Sequence, residues 1–311
     1  MKKIVGYLRD YWRAEFHGGV YSVFGIGMAA IIWFNYSYGL FAREVSPYFG
    51  QWKQWGIYFV IFGLPYAGVI LLENGWKGDW RRLRQPGLWA TVAFAMALLS
   101  FSMFFHWYRD WAADLFPPAL RSYGTTLFWN LKRVLSLLLP LLIYRWWRDR
   151  KAHGFYGWRI GGADLRPYFL MLAIVLPGVI WASFQPDFLQ AYPSWVPGSL
   201  ERKSGVSIPG LVAIYELIYG LDYALIELFF RGFLVIGMVK WLGKRAILPM
   251  VAVYCILHFG KPAGEAISSI FGGYILGVIA LYTRSIWGGI VVHMGLAWMM
   301  DLAAGMQLWW R

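Results

Sequence analysis

Long apolar runs, parted by short stretches that gather the charges, set the pattern of this chain. A bilayer core requires about 20 apolar residues per helix. On that measure the sequence predicts nine spans, near 19–41, 55–73, 88–107, 126–144, 168–186, 209–239, 246–259, 265–282 and 286–306. The fourth holds Lys132 and Arg133. The sixth is longer than a bilayer needs, so it is expected to tilt, to break near Gly220 or to run beyond the membrane. The seventh is short enough to be partly re-entrant. Residues 187–207 are more polar and are interrupted by Pro193 and Pro197. They read as an extramembrane loop between N-terminal helices with basic loops (1–200) and a C-terminal core (205–306). The expected fold is an all-α polytopic membrane protein with about 8–9 transmembrane helices.

Composition supports a membrane protein. Hydrophobic residues make up 59% of the 311, aromatics 20% and charged residues only 14%, where soluble domains hold about 25% charged. Twenty Trp and twenty Tyr suit a chain with many membrane interfaces, where such rings anchor. The formal net charge of +13 reads as positive-inside loops, with the bilayer and not nucleic acid as partner. With the N-terminus in the cytoplasm, the predicted spans leave 18 Lys and Arg inside against 8 outside, the expected bias. The basic loop Arg145–Pro167 contains Gly154, Gly157, Gly161 and Gly162. It lacks the spacing of a phosphate-binding loop and reads as a cytoplasmic segment against anionic lipid. Cys255 lies in an apolar run, and a lone cysteine excludes an intramolecular disulfide.

Charge inside the apolar runs changes the picture. Tyr215–Phe233 carries Glu216, Asp222, Glu227 and Arg231 in strongly apolar surroundings. At 3.6 residues per turn, Glu216, Tyr219, Gly220, Tyr223, Glu227 and Arg231 share one helical stripe, and Glu227 and Arg231 are spaced to meet. A charge at bilayer depth costs about 2.5–3.5 kcal/mol, so such residues face a protein interior or a wet cavity. The last hundred residues collect Glu227, Arg231, His258, Glu265, His293 and Asp301, which predicts a polar catalytic cavity among the C-terminal helices. Two histidines with several carboxylates on separate helices suit proton transfer at a water molecule. The same groups also admit plainer readings. Glu227 with Arg231 can be a buried ion pair, and His258 can close a helix before Phe259-Gly260-Lys261-Pro262. Glu265 suits a helix N-terminus, Asp301 an interface, and Gly273-x-x-x-Gly277 a helix-packing contact.

Three motifs in order resemble the CAAX-protease and bacteriocin-processing family of intramembrane proteases, also called CPBP or ABI. The first is Ile226-Glu227-Leu-Phe-Phe-Arg231, where the family has Glu-Glu-x-x-x-Arg. The second is Tyr254-Cys-Ile-Leu-His258, for Phe-x-x-x-His. The third is His293-Met-Gly-Leu-Ala297, for His-x-x-x-Asn. The resemblance covers roughly residues 208–305. It implies an intramembrane endopeptidase, with a peptide or membrane-protein substrate and a location in a prokaryotic plasma membrane. By position, Glu227 is the partner of Arg231, His258 orients water and His293 donates to the oxyanion. Ile226 stands where the family has its base, which leaves Glu227 or Glu265 for that task. Asp301 lies two turns beyond His293 on the same face and is expected over the cavity mouth. No cofactor is implied; a metallo-variant would place zinc on His258, His293 and Glu227. Ile226 and Ala297, apolar where the family is polar, leave the alternative of a catalytically silent relative acting as a membrane immunity or scaffold protein.

Overall fold

In this computed structural model, residues 1–150, 154–158 and 164–309 are described. Among them there is no β-strand, only an isolated bridge between Phe155 and Trp158. The protein is an all-α polytopic membrane protein. Six helices among the described residues are long and apolar enough to span: Gly18–Gly39, Trp52–Trp76, Pro86–Leu115, Pro118–Arg148, Ala263–Thr283 and Trp287–Leu308. Each coincides with a predicted span. The other three predicted spans fall short for identifiable reasons. Arg166–Ala182 is apolar but has 17 residues. Ile247–Ile256 has only 10. The run over 209–239 carries four ionisable residues and is divided into Ile208–Glu227 and Leu228–Gly237. That division falls after Glu227, not near the expected Gly220.

The chain forms two compact units that interleave in sequence: Met1–Phe104, Arg148–Ala163 and Leu228–Gly288 in one, Phe105–Trp147, Asp164–Glu227 and Gly289–Arg311 in the other. The first is organised on Ile247–Ile256, every residue of which is buried. A helix that is apolar all round has no face for solvent, and Trp52–Trp76, Ala263–Thr283 and Leu228–Gly237 all pack on this one. The predicted glycine spacing lies at one of these contacts. A methyl group added at Gly273 would come within 3.0 Å of Tyr254, and one at Gly277 within 2.7 Å of Met250, so both glycines let the helix backbones approach.

Leu228–Gly237 is a π-helix, closed by i→i+5 hydrogen bonds. Its glycines fit that wide turn. Gly232 and Gly237, five apart, both pack on Tyr156, which a Cβ would approach to 2.8 Å and 3.1 Å respectively. In an α-helix residues five apart diverge by about 140°. Of the basic loop, Lys151, His153, Arg159, Gly161 and Gly162 lie outside the described residues. Gly157 is described: at φ +83°, it leaves room for Ile236 and Ile286 and accepts the Ile286 N–H at 3.2 Å. It is a packing turn between elements of the first unit.

In the second unit, Arg121–Arg133 packs on Ile208–Glu227, and the buried Arg133 guanidinium donates to the Asp222 carboxylate. This pair explains how Arg133 is tolerated in the fourth apolar run. Gly220 lies against Trp287–Trp309: a Cβ there would meet Trp298 at 2.7 Å and Met294 at 2.8 Å. Trp298 Nε1 donates to the Glu216 carbonyl at 3.0 Å.

Candidate functional site

Ile208–Glu227 ends on its only fully buried carboxylate. Glu227 has no exposed side-chain surface, and its Oε1 accepts from His293 Nδ1 at 3.0 Å. His293 lies in the second turn of Trp287–Trp309, with 12% of its side chain exposed. The bond joins residues 66 positions apart, the first and third motifs. A carboxylate at Nδ1 holds the proton there and leaves Nε2 as the basic nitrogen. Room for the carboxylate comes from Gly289, one turn before His293. A Cβ at that position would stand 2.0 Å from Glu227 Oε2 and 2.9 Å from Cδ. In the sequence, Gly289 stands four residues before His293. Its i, i+4 spacing to His293 was the available signal.

The Tyr223 ring packs against His293, with centroids 4.5 Å apart and planes tilted by 57°. Tyr223 and Tyr219 were on the predicted stripe, and their hydroxyls lie 2.7 Å apart. Asp301 is buried in the same unit, where its Oδ1 accepts the Ser194 backbone N–H at 3.0 Å. Asp301 therefore belongs to a built polar contact.

The second motif lies in the first unit. His258 Nδ1 is 2.8 Å from the Tyr254 carbonyl, which can only accept, so the proton is on Nδ1 and Nε2 is the acceptor. The Tyr254 ring stands edge-on to His258 at 4.8 Å. It also lies under the buried Arg231, whose guanidinium carbon is 4.2 Å from the ring centroid. Tyr254 thus serves a packing role that the Phe of the family motif can fill. Glu265 is in the first turn of Ala263–Thr283 and pairs with Lys261 at 3.2 Å, the side chains 19% and 39% exposed. It is a half-exposed i, i+4 pair at a helix start. Ile226 and Ala297 are buried apolar residues. Among the described residues no group of three or more His, Cys, Asp or Glu is gathered as for a metal ion.

Residues 211–299 match the family model described as Rce1-like, type II CAAX prenyl endopeptidase Rce1-like. The matched stretch is less than a third of the chain. It contains Glu227, Arg231, His258, Glu265 and His293 and stops before Asp301. Neither a curated protein nor a solved structure matches the chain significantly. At the level of the family, the match supports a CAAX-protease-like membrane endopeptidase.

Proposed function

We propose that the Rce1-like segment is a working intramembrane endopeptidase in which Glu227 and His293 together activate water. The observation that carries this reading is the 3.0 Å contact between Glu227 Oε1 and His293 Nδ1. Glu227 sets the imidazole tautomer, so His293 Nε2 takes a proton from water as the oxygen attacks the scissile carbonyl. The carboxylate steadies the imidazolium that forms. Nε2 then returns the proton to the leaving amine as the tetrahedral intermediate collapses, so water and one peptide bond become a carboxylic acid and an amine. A site closed to bulk water strengthens each of these charge contacts.

This assignment prefers Glu227 to Glu265 as the essential carboxylate, because Glu227 is fully buried against His293, whereas Glu265 is partly exposed and paired with Lys261. It gives His293 a proton-handling task in place of the oxyanion contact that its motif position implies. His258 carries its proton on Nδ1, and its task is read from the second motif alone. The substrate is a peptide or a membrane protein presented from the bilayer.

The test is cleavage of quenched soluble and transmembrane peptides by the purified full-length protein in detergent. Glu227→Gln, His293→Gln, His258→Ala and Glu265→Gln are assayed beside it, each with and without chelator. Loss in the first two, retention in Glu265→Gln and indifference to chelator support the reading. Full activity in Glu227→Gln sinks it. Loss on chelation with recovery on added zinc moves the site to the metallo-variant. No cleavage by well-folded protein favours the silent relative suggested by Ile226 and Ala297.

A further inference from the structure

A groove of about 690 Å³ lies in the first unit, a size common among small-molecule sites. Phe24, Gly25, Met28 and Ala29 of Gly18–Gly39 line it together with Ile267 and Phe271 of Ala263–Thr283. Both helices are long and apolar enough to span. Trp33, also on the lining, and Phe271 are 71% and 66% exposed, so the groove is open on its outer side. None of the lining residues belongs to the three motifs. One end is more polar. There Tyr21 stands edge-on to Trp12 at 5.4 Å, and the Tyr21 and Tyr274 hydroxyls are 3.2 Å apart. Trp33 lies twelve residues along the helix from Tyr21, about 18 Å away. We propose that this groove holds the acyl chain of an anionic phospholipid, with its phosphate on Arg9 and Arg13 beside Trp12.

The occupant follows from the chemistry of the walls and of the helix at their end. Beyond the Tyr21 and Tyr274 phenols and the Trp12 and Trp33 indoles, no lining side chain carries an N–H or O–H. A peptide strand laid there leaves its backbone groups without partners, whereas a hydrocarbon chain needs none. Trp12 belongs to Lys2–Glu15, which buries Ile4 and Tyr11. Val5, Trp12 and Phe16 lie within about 40° of one another on a second side, which is exposed. Lys2, Arg9 and Arg13 form the next strip round, about 60° away, and are exposed as well. An exposed aromatic strip flanked by cations is the pattern of a helix lying in the headgroup layer. The acids of this helix do not cancel its charge. Glu15 is held by Lys77 at 2.5 Å and Arg245 at 3.8 Å, and Asp10 meets Arg9 at 3.4 Å. Arg13, next to Trp12, makes no ion pair among the described residues. A lipid phosphate is the anion that reaches this strip from the end where the chain enters the groove.

The test counts bound lipid. Full-length protein in detergent is titrated with phosphatidylglycerol or with phosphatidylcholine of the same acyl chains, and each bound species is resolved by native mass spectrometry. Phosphatidylglycerol should be retained as a single copy, about tenfold more tightly than phosphatidylcholine. Arg9→Gln and Arg13→Gln alter exposed side chains, where folding is least at risk. Each should weaken phosphatidylglycerol about fivefold and leave phosphatidylcholine unchanged. Gly25→Leu fills the groove, because a Cβ there meets nothing within 4 Å, and should weaken both lipids about tenfold. Gly27→Leu is equally uncrowded but lies outside the lining, and should weaken neither. Equal retention of the two lipids overturns the proposal, as does phosphatidylglycerol binding that ignores the arginine variants or Gly25→Leu. Tighter retention of an isoprenoid alcohol, or a lipid-free dimer broken by Gly25→Leu, overturns it in favour of another occupant.

Discussion

A methyl group at Gly289 separates the geometry of the Glu227–His293 pair from the stability of the helix that carries it. In Gly289→Ala the new Cβ is directed to a point 2.0 Å from Glu227 Oε2. Carbon and oxygen need about 3.3 Å, so the carboxylate must retreat by about 1.3 Å. The Glu227–His293 contact is 3.0 Å, and such a retreat takes it past hydrogen-bonding distance. Misplacement of about 1 Å costs on the order of 100-fold in rate, or about 2.7 kcal/mol of barrier. The helix itself is little affected. Alanine gains about 0.8–1.0 kcal/mol over glycine in a helix interior, against about 1–3 kcal/mol for crowding, so Tm should move by only a few degrees. The assay is peptide cleavage beside a thermal melt, with Gly272→Ala as control, since nothing lies within 4 Å of a Cβ there. The expected result is a loss of about 100-fold in kcat/KM for Gly289→Ala with a near-native melt, and an unchanged control. A Gly289→Ala protein that cleaves at the wild-type rate would refute the assignment of this pair to the chemistry.

Further outcomes follow from the same contacts. Tyr254→Leu should lose about 2 kcal/mol, the value of a desolvated cation–π contact, read by denaturant unfolding. Asp222→Ala strands the buried Arg133 and should cost about 3–5 kcal/mol, whereas Arg133→Met with Asp222→Leu should recover most of that loss in a thermal melt. Lys261→Ala should cost at most about 1 kcal/mol, because its pair with Glu265 is half-exposed, and an equal melt at low and high salt would remove even that.

The apolar runs disclosed most of the helices, because bilayer length and hydropathy act on each segment alone. They missed where a segment departs from one repeat. The π-helix after Glu227 packs its Gly232 and Gly237 on Tyr156, about 70 positions earlier. The same limit applies at the candidate site. Glu227, Arg231, His258 and His293 stood out as ionisable groups in apolar surroundings, and the stripe of Tyr219, Tyr223 and Glu227 was readable from spacing. Ser194 was not, because its contacts to Tyr219 and Asp301 cross intervals of 25 and 107 residues. Glu265 looked as eligible as Glu227 until its contact with Lys261 and partial exposure were visible. Spacing shows which residues can share a face; burial and partners decide what each does there.

The wide turn at Leu228–Gly237 also bears on how chain length can vary. Removing one residue between Gly232 and Gly237 would leave the two glycines four apart. An ordinary α-turn then sets them about 40° from each other, still facing Tyr156. The segment can thus give up a residue and keep its packing surface, a tolerance rare in a buried helix. The same deletion within Ile247–Ile256, where every side chain is buried, would swing the rest of the helix through about 100° and present a different set of side chains to all its neighbours.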